Sequence, residues 1–352
     1  MDITPYLKLL VDKQGSDLFF TTKSPVKIKI EGKSAPVGKT VLDGEMTRAA
    51  AYGIMNEYQA NKFDQNLEVD FAISMPDGSA RFRVNVFRQR GDISMVLRLI
   101  PTDIPTIQGI GVPDILEELI NYKRGLILMV GATGAGKSTT LAAMINHRNM
   151  TLSSHILTIE DPIEFSHSNI KSIINQREVG VDTFSYANAL KSSLREAPDV
   201  ILIGEVRERQ TMEAALELSN TGHLALATLH ANNANQAMER VINMFPQVLH
   251  KQLFMDLSLN LRAVVSQRLV TALDGKLCAA VEVMVMTPHI AELILKGQID
   301  EIKEAMAESG QRGMQTFDQA LYELYREGRI DLEEALNNAD SRTNLEAKIN
   351  FG

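Results

Sequence analysis

The sequence contains a single cysteine, Cys278, among 352 residues. A disulfide framework and a cysteine-rich metal module are therefore excluded. No apolar run approaches the roughly 18 residues that a membrane span needs. The N-terminus also lacks the basic segment followed by an apolar run that marks a signal peptide. We therefore expect a globular, cytosolic protein.

Positive charge is in deficit as well. The chain has 36 Lys plus Arg against 44 Asp plus Glu, a net charge of −8, which argues against binding nucleic acid by charge alone. The acidity is concentrated at the end of the chain, because residues 285–352 hold 7 basic and 13 acidic side chains. This acidic tail is a candidate surface for partner contact. The length is about twice that of a usual domain, so we expect more than one domain.

The first hundred residues predict a small α+β domain. Residues 44–63 predict one amphipathic helix with Ala50, Ile54, Tyr58 and Phe63 near one face. Segments of alternating apolar and polar residues, separated by turn residues, predict half-buried antiparallel strands. These segments are 26–31, 81–87 and 93–100.

A segment with three prolines and two glycines, 101–113, has no sustained periodicity and predicts a linker. Beyond it, short apolar runs alternate with amphipathic helical stretches, which predicts a parallel sheet covered on both faces. A helix carrying Leu253, Leu257, Leu261 and Val264 and a hairpin through Asp274-Gly275 are expected next. The apolar runs are 126–130, 155–159, 200–203 and 224–228.

The strongest motif is GATGAGKS at 131–138, which fits the phosphate-binding loop pattern G-x-x-x-x-G-K-[ST]. It lies between a predicted strand and a helix, where glycines let backbone N–H groups approach phosphates. Lys137 is expected to reach the β and γ phosphates, and Ser138 is expected to ligate Mg²⁺. The alternative is a glycine-rich turn with a surface lysine. The predicted nucleotide-binding residues are Gly131, Ala132, Thr133, Gly134, Ala135, Gly136, Lys137, Ser138 and Thr139.

Acidic residues follow two other predicted strands. Glu160, Asp161 and Glu164 follow the run at 155–159, and Glu205 follows the run at 200–203. The carboxyl ends of parallel strands are well placed for acids near a metal and an attacking water. Glu205 is therefore a candidate metal ligand or water-positioning residue. Each carboxylate taken alone is equally compatible with a solvated loop acid or a helix cap.

Histidines and arginines supply further candidates. His223 and His230 flank the run at 224–228, where a histidine near a γ-phosphate can sense the nucleotide state, although a structural role is equally compatible. Arg81 and Arg83 share one face of a predicted strand. They fit either an exposed strand face or the role of an arginine finger, within one chain or between neighbours.

Four segments together resemble those of secretion-type hexameric ATPases, above all type IV pilus retraction ATPases of the PilT and PilU type. The resemblance implies an N-terminal PAS-like α+β domain over 1–100, a linker over 101–113, a RecA-like P-loop ATPase domain over 114–287 and a C-terminal helical region over 288–352. The four segments are GATGAGKSTTLAAM, TIEDPIEF, SLREAPDVILIGEVRE and TGHLALATLHANNA.

The same resemblance implies an ATPase whose ligands are ATP or ADP and Mg²⁺, coupled to pilus retraction and twitching motility. It makes Lys137 a Walker A residue, Glu164 the catalytic glutamate, Glu205 the Walker B glutamate, and His223 and His230 the histidine-box sensors. The implied partners are other copies in a homohexamer, a PilT-like paralogue and the inner-membrane platform protein of the pilus machine. The chain would then be cytoplasmic, peripheral to the inner membrane, with no nucleic-acid partner.

Arg83 and Arg98 resemble arginines that approach the nucleotide in this family. The tail, from IKEAMAES onward, lacks a helix typical of PilT and resembles PilU, which is usually an auxiliary of PilT. Two alternatives therefore stay open. One is a nucleotide-binding auxiliary subunit with little intrinsic ATPase activity that acts through a PilT-like paralogue. The other is a different secretion-family ATPase, although the extension and secretion members carry a tetracysteine zinc element that the lone Cys278 cannot form.

Overall fold

A computed structural model describes residues 1–351, with the side chain of Phe351 excepted, and the chain forms two compact units. The first unit comprises residues 1–103 together with 163–166 and 180–182. The second unit comprises the remainder. The division falls inside the segment 101–113, and Ile107 and Val112 of that segment are buried in the core of the second unit.

The first unit is built on a six-stranded sheet with the order β3-β2-β1-β6-β5-β4, in which every neighbouring pair is antiparallel. The three strands predicted from alternation are confirmed, and their apolar side chains face the core. The elements are α1 (Thr4–Asp12), β1 (Asp17–Phe20), β2 (Lys27–Ile30), β3 (Lys33–Pro36), α2 (Gly44–Tyr52), α3 (Glu57–Asn66), β4 (Glu68–Ser74), β5 (Arg81–Gln89) and β6 (Asp92–Ile100).

The prediction of one continuous helix over 44–63 is wrong, because the chain forms α2 and α3 instead. Asn56 starts the second helix with a capping box, in which its side chain accepts from the Gln59 amide and the Gln59 side chain accepts from the Asn56 amide. Tyr58, predicted to share the buried face, is 68% exposed, whereas Phe63 is fully buried. Two separately capped helices therefore replace the single predicted helix.

The second unit is built on a seven-stranded sheet with the order β13-β12-β7-β11-β10-β8-β9. All neighbouring pairs are parallel except the hairpin β12–β13. The strands are β7 (Gly125–Val130), β8 (His155–Glu160), β9 (Ile173–Glu178), β10 (Val200–Ile203), β11 (Leu224–Leu229), β12 (Leu261–Thr271) and β13 (Leu277–Val285).

Eleven α-helices accompany this sheet in the described part of the chain, and two short 3-10 turns lie at Gln247–Leu249 and Ile299–Glu301. No helix among the described residues has the length and apolar character needed to cross a membrane. The helices are α4 (Ile115–Ile120), α5 (Lys137–Thr151), α6 (Tyr186–Ser193), α7 (Arg209–Asn220), α8 (Ala234–Asn243), α9 (His250–Asn260), α10 (Pro288–Lys296), α11 (Ile302–Glu308), α12 (Phe317–Arg326), α13 (Leu332–Asn338) and α14 (Arg342–Phe351).

Strand β7 shows why the predicted runs are apolar without interruption. Leu126, Leu128 and Val130 pack into one core cluster, while Ile127 and Met129 pack into another on the opposite face. Side chains of a strand point alternately to the two faces, so a strand buried on both sides is apolar at every position. The four predicted parallel strands are confirmed.

Two features of the second unit differ from the sequence prediction. The helix predicted to carry Leu261 and Val264 ends earlier, at Asn260, and both residues belong to β12. Strand β9 was not predicted, because this edge strand is largely polar and Ile173 is 58% exposed. The hairpin through Asp274-Gly275 is confirmed, and the Asp331 side chain caps α13 by accepting from the Glu334 amide.

Candidate active site

The phosphate-binding loop joins the carboxyl end of β7 to the amino end of α5, the setting that the motif requires. Ala132, Thr133 and Gly134 form the exposed tip of the loop, and Ala135 is buried. Lys137 and Ser138 lie in the first turn of α5, followed by the half-buried Thr139. The loop therefore presents backbone amides and a cation at the positive end of a 15-residue helix.

Gln267 on β12 packs against this loop and leaves no room for side chains at Gly131 and Gly136. A Cβ atom at Gly131 would lie 2.6 Å from the Gln267 carbonyl oxygen, and one at Gly136 would lie 2.7 Å from Nε2 of the same residue. Both glycines also have positive φ, 154° and 83°. The Oε1 atom of Gln267 accepts a buried hydrogen bond of 2.7 Å from Thr140 Oγ1 on α5. Gln267 was not predicted from the sequence, because it lies 131 residues after Gly136.

The Lys137 amine lies back over the loop. Its Nζ donates hydrogen bonds of 2.8 Å to the carbonyl oxygens of Gly131 and Ala132. Burial lowers the pKa of Lys137, and the negative charge of Glu205 opposes that effect. The structure thus brings together the Walker A cation and the acid that follows β10.

Glu205 is held between the side chains of Arg207 and His230. Arg207 donates to Oε2 through Nη2 at 2.7 Å and Nε at 2.8 Å, and His230 Nε2 lies 3.0 Å from Oε1. Burial alone would raise the pKa of Glu205, but the hydrogen bond from Arg207 and the charges of His230, Arg207 and Lys137 outweigh it and lower the pKa. The carboxylate is therefore ionised at neutral pH and oriented at both oxygens.

The sheet order explains why these side chains meet. Strands β7, β11, β10 and β8 are consecutive and parallel, so their carboxyl ends share one edge. At that edge Glu160, which accepts from Thr158 Oγ1 at 2.6 Å, is the last residue of β8, and Glu205 follows β10. His230 follows β11. Acids were expected here because the carboxyl ends of parallel strands meet.

Two neighbours of this edge were missed. Tyr186 is half-buried with its hydroxyl beside Gly204, and burial, with the charges of Asp161, Glu160 and Glu205, raises its pKa far above the ordinary value. The Thr228 hydroxyl donates to the Gly204 carbonyl oxygen. The Thr228 contact fixes the backbone directly before Glu205, and the Tyr186 hydroxyl leaves no room for a side chain at Gly204.

His223 does not lie at this edge. It precedes β11, and its carbonyl oxygen accepts from the Gly125 amide at the start of β7, at the amino ends of the strands. A six-residue strand separates it from His230, a distance of about 20 Å at 3.3 Å per residue. The His223 ring contacts the Leu218 carbonyl oxygen and the Thr221 hydroxyl.

Three other predicted residues belong to the first unit. Glu164 is exposed, in the short stretch 163–166. Arg83 and Arg98 are directly opposite on β5 and β6. The Arg98 guanidinium makes a 2.8 Å ion pair with the buried carboxylate of Asp17, whereas Arg83 has no ion pair to another described residue. Arg98 is therefore engaged in an ion pair within the first unit, and Arg83 is the better candidate for contact with a nucleotide.

A cavity of about 640 Å³ adjoins the helix side of the phosphate loop. It opens beside Gly136, Thr139 and Thr140. Its remaining wall mixes apolar side chains with backbone and the Arg329 guanidinium. The other lining residues are Gln108, Gly109, Ile110, Gly111, Val112, Gln267, Leu269, Leu277, Cys278, Ala279 and Arg329.

The residues at the loop fit a magnesium ion that arrives with its nucleotide. No group of three or more His, Cys, Asp or Glu side chains within residues 1–351 can hold a metal ion alone. The Ser138 hydroxyl is exposed in the first turn of α5, and Glu205 supplies an ionised carboxylate. Mg²⁺ characteristically takes one or two protein oxygens and completes its shell with phosphate and water.

A phosphate loop on a parallel sheet, with acids at the carboxyl ends of two further strands, β10 and β8, defines a RecA-like P-loop nucleotide-binding protein. The chain belongs to the family of type II/IV secretion system proteins, which matches residues 3–346. It is 53% identical over 353 residues to the type IV pilus ATPase PilU of Pseudomonas aeruginosa, covering 100% of this chain and 92% of that protein. The type IV pilus retraction ATPase PilT of the same organism is 40% identical over 339 residues, covering 96% and 98%.

Among solved structures, the pilus retraction motor PilT with bound ADP superimposes with a TM-score of 0.91 at 39% identity, covering 98% of this chain and 99% of that one. The predicted fold class, the resemblance to pilus retraction ATPases and the ATPase class are confirmed by these relationships.

Proposed function

We propose that this chain is an ATP-hydrolysing motor subunit of type IV pilus retraction and twitching motility. It acts as a homohexamer beside a PilT-like paralogue and engages the inner-membrane platform protein from the cytoplasmic side. The observation that carries the proposal is the oriented pair of Lys137 and Glu205 at the mouth of the phosphate loop. The chain's 53% identity to a pilus ATPase supports the pilus as the machine it serves.

Each of these side chains has a separate role in the proposed reaction. Lys137 binds the β and γ phosphates and stabilises the charge that develops on the transferred group. Glu164 polarises the attacking water. Glu205 is held ionised by Arg207 and His230, so it accepts hydrogen bonds at a fixed position. Ser138 and Glu205 would hold Mg²⁺, which neutralises phosphate charge when it is bound.

The adjoining cavity takes the nucleoside of the substrate. It begins at Gly136 and Thr139, beside the first turn of α5, and its volume of about 640 Å³ suits a small ligand. Leu269 and Leu277 provide apolar walls for a base, and Arg329 provides a cation on the same wall.

Three variants test the site. Lys137→Ala is expected to abolish ATP hydrolysis and nucleotide binding, whereas Glu205→Gln and Glu164→Gln should retain binding and lower kcat by about 100-fold or more. Glu213→Gln is the matched control, because Glu213 is an exposed acid that pairs only with Arg209. Phosphate release measures ATP hydrolysis by each variant, and fluorescent ADP binding measures its nucleotide affinity. Wild-type hydrolysis rates in both Lys137→Ala and Glu205→Gln would refute the assignment.

A second candidate function is favoured by the greater identity to PilU, 53%, than to PilT, 40%. In that case the chain binds nucleotide as an auxiliary subunit and acts mainly through a PilT-like paralogue. Phosphate release by the isolated protein, measured again with a Walker A-defective paralogue added, separates the two. Hydrolysis without the paralogue supports the motor, and hydrolysis only in its presence supports the auxiliary.

A further inference from the structure

The loop that follows His230 is fixed at three successive residues. The Arg268 Nη2 atom donates to the Asn232 carbonyl oxygen at 3.2 Å, and the Asn233 side chain donates to Asp340 Oδ2 at 3.2 Å. The Ala234 amide donates to Glu282 Oε1 at 2.7 Å. This loop, residues 230–234, is called the histidine loop because it begins with His230, which contacts Glu205. The backbone position of the loop therefore determines whether His230 can contact Glu205.

The anchoring side chains form one partly buried ionic cluster, composed of Arg268 on β12, Glu282 on β13, Lys303 on α11 and Asp340 between α13 and α14. Asp340 Oδ1 lies 2.5 Å from Arg268 Nη2, and its Oδ2 lies 3.2 Å from Lys303 Nζ. The Asp340 side chain is only 8% exposed. Four separate elements therefore meet at the end of the histidine loop.

Asp340 is itself held firmly by the tail. Its amide and the following Ser341 amide donate to the Asp318 carboxylate on α12, at 2.8 and 3.2 Å. Arg268 also stacks 4.0 Å above the Phe317 ring and donates to the Asn338 carbonyl oxygen at 2.6 Å. The C-terminal helices are thus coupled mechanically to the loop between His230 and Ala234.

The central carboxylate, Glu282, is only 2% exposed. It faces the Ala234 amide and the Ser266 hydroxyl, and the charges of Asp340 and Lys303 act on its carboxyl group in opposite directions. Burial raises the pKa of Glu282 to about 7, so this group is costly to ionise near neutral pH. A packing role alone would be served better by an uncharged side chain.

We propose that Arg268, Glu282 and Asp340 are positioning residues, which hold the 232–234 backbone and thereby press His230 against Glu205. The C-terminal tail in this way sets the geometry of the hydrolytic site. The inference rests on the proposed ATPase function for its kinetic readout but not for its structural readout.

The kinetic test uses isosteric changes in the full-length protein. Asp340→Asn should lower kcat about tenfold, because a displaced active-site group loses rate steeply, while the Kd for fluorescent ADP changes less than about twofold. Arg268→Lys should resemble it, since lysine cannot reproduce the forked contacts. Glu292→Gln, an exposed acid paired with Lys296, is the control.

The structural test measures hydrogen exchange without nucleotide. Amides 232–236 should exchange at least about fivefold faster in Asp340→Asn and in Glu282→Ala, which removes the acceptor of the Ala234 amide, than in the wild type, with amides elsewhere in the core unchanged. If wild-type hydrolysis proves absent, the proposed function fails, and faster exchange alone would still support the positioning cluster. Unchanged exchange together with an unchanged kcat in both variants overturns the inference.

Discussion

Two carboxylates of the second unit, Glu205 and Glu282, have opposite electrostatic surroundings. Arg207 and His230 outweigh the burial of Glu205 and keep its pKa low. Burial dominates at Glu282, where the charge of Asp340 adds to the effect of burial and the charge of Lys303 only partly opposes it. One acid is thus fixed as an anion beside the phosphate loop, and the other titrates near neutral pH at the end of the histidine loop.

Glu282 should therefore limit stability at alkaline pH. Its folded-state pKa of about 7 lies above the unfolded value of 4.5, so the folded chain binds the proton more tightly and stability falls as pH rises from about 4.5 to 7. We expect Glu282→Gln to stabilise the protein by up to about 3 kcal/mol at pH 8.5, at 1.36 kcal/mol per pKa unit. Denaturant unfolding at pH 5 and 8.5 measures this. Equal stability of the two proteins at pH 8.5 would contradict it.

At the scale of elements, the parts predictable from sequence are those with local signals. The phosphate loop has its own spacing, and the parallel strands are apolar at every position because both faces are buried. Gln267 and Tyr186 could not be found in this way, because each comes from a distant part of the chain. Strand pairing brings Gln267 to the phosphate loop, and helix packing brings Tyr186 to Gly204. The α2–α3 break was hidden by an apolar period that continues across the Asn56 cap.

The same limit applies to the acidic tail. Its surplus of acid suggested a partner surface, but several of its acids are occupied within the chain. For example, the Glu334 carboxylate accepts from the Thr271 amide at 2.7 Å, and Asp340 joins the partly buried ionic cluster. Composition reports how many acids a segment has, whereas only the packing of α12, α13 and β12 shows where they point.

The hairpin β12–β13 also offers a test of the nucleoside cavity. Leu277 lines the cavity and is 64% exposed, while Leu273 in the hairpin turn is equally exposed and lies outside its wall. Leu277→Trp should fill part of the cavity and raise the Kd for fluorescent ADP by about tenfold, and Leu273→Trp should leave it unchanged. Equal affinities for the two variants would place the nucleoside elsewhere.

At the scale of the whole molecule, the candidate arginines and the phosphate loop belong to different units. Arg83 and Arg98 lie on the sheet of the first unit, and Lys137 belongs to the second. If the proposed hexamer completes each site with an arginine from a neighbouring chain, one defective chain can rescue another. That expectation follows from the division of the residues between units and from the ring that the family resemblance implies.

Mixed assemblies test this arrangement directly. Arg83→Ala and Lys137→Ala proteins are each expected to lose more than about tenfold in kcat, because an arginine contact and the Walker A lysine both stabilise transition-state charge. When the two are co-assembled, a site with an intact Lys137 can face a neighbour with an intact Arg83, and phosphate release should recover to a substantial fraction of the wild-type rate. The Arg83→Ala,Lys137→Ala double variant mixed with Lys137→Ala has no such site and is the matched control. Loss of activity in Arg83→Ala without recovery on mixing would place this arginine in the site of its own chain, and full activity in Arg83→Ala would remove it from the site altogether.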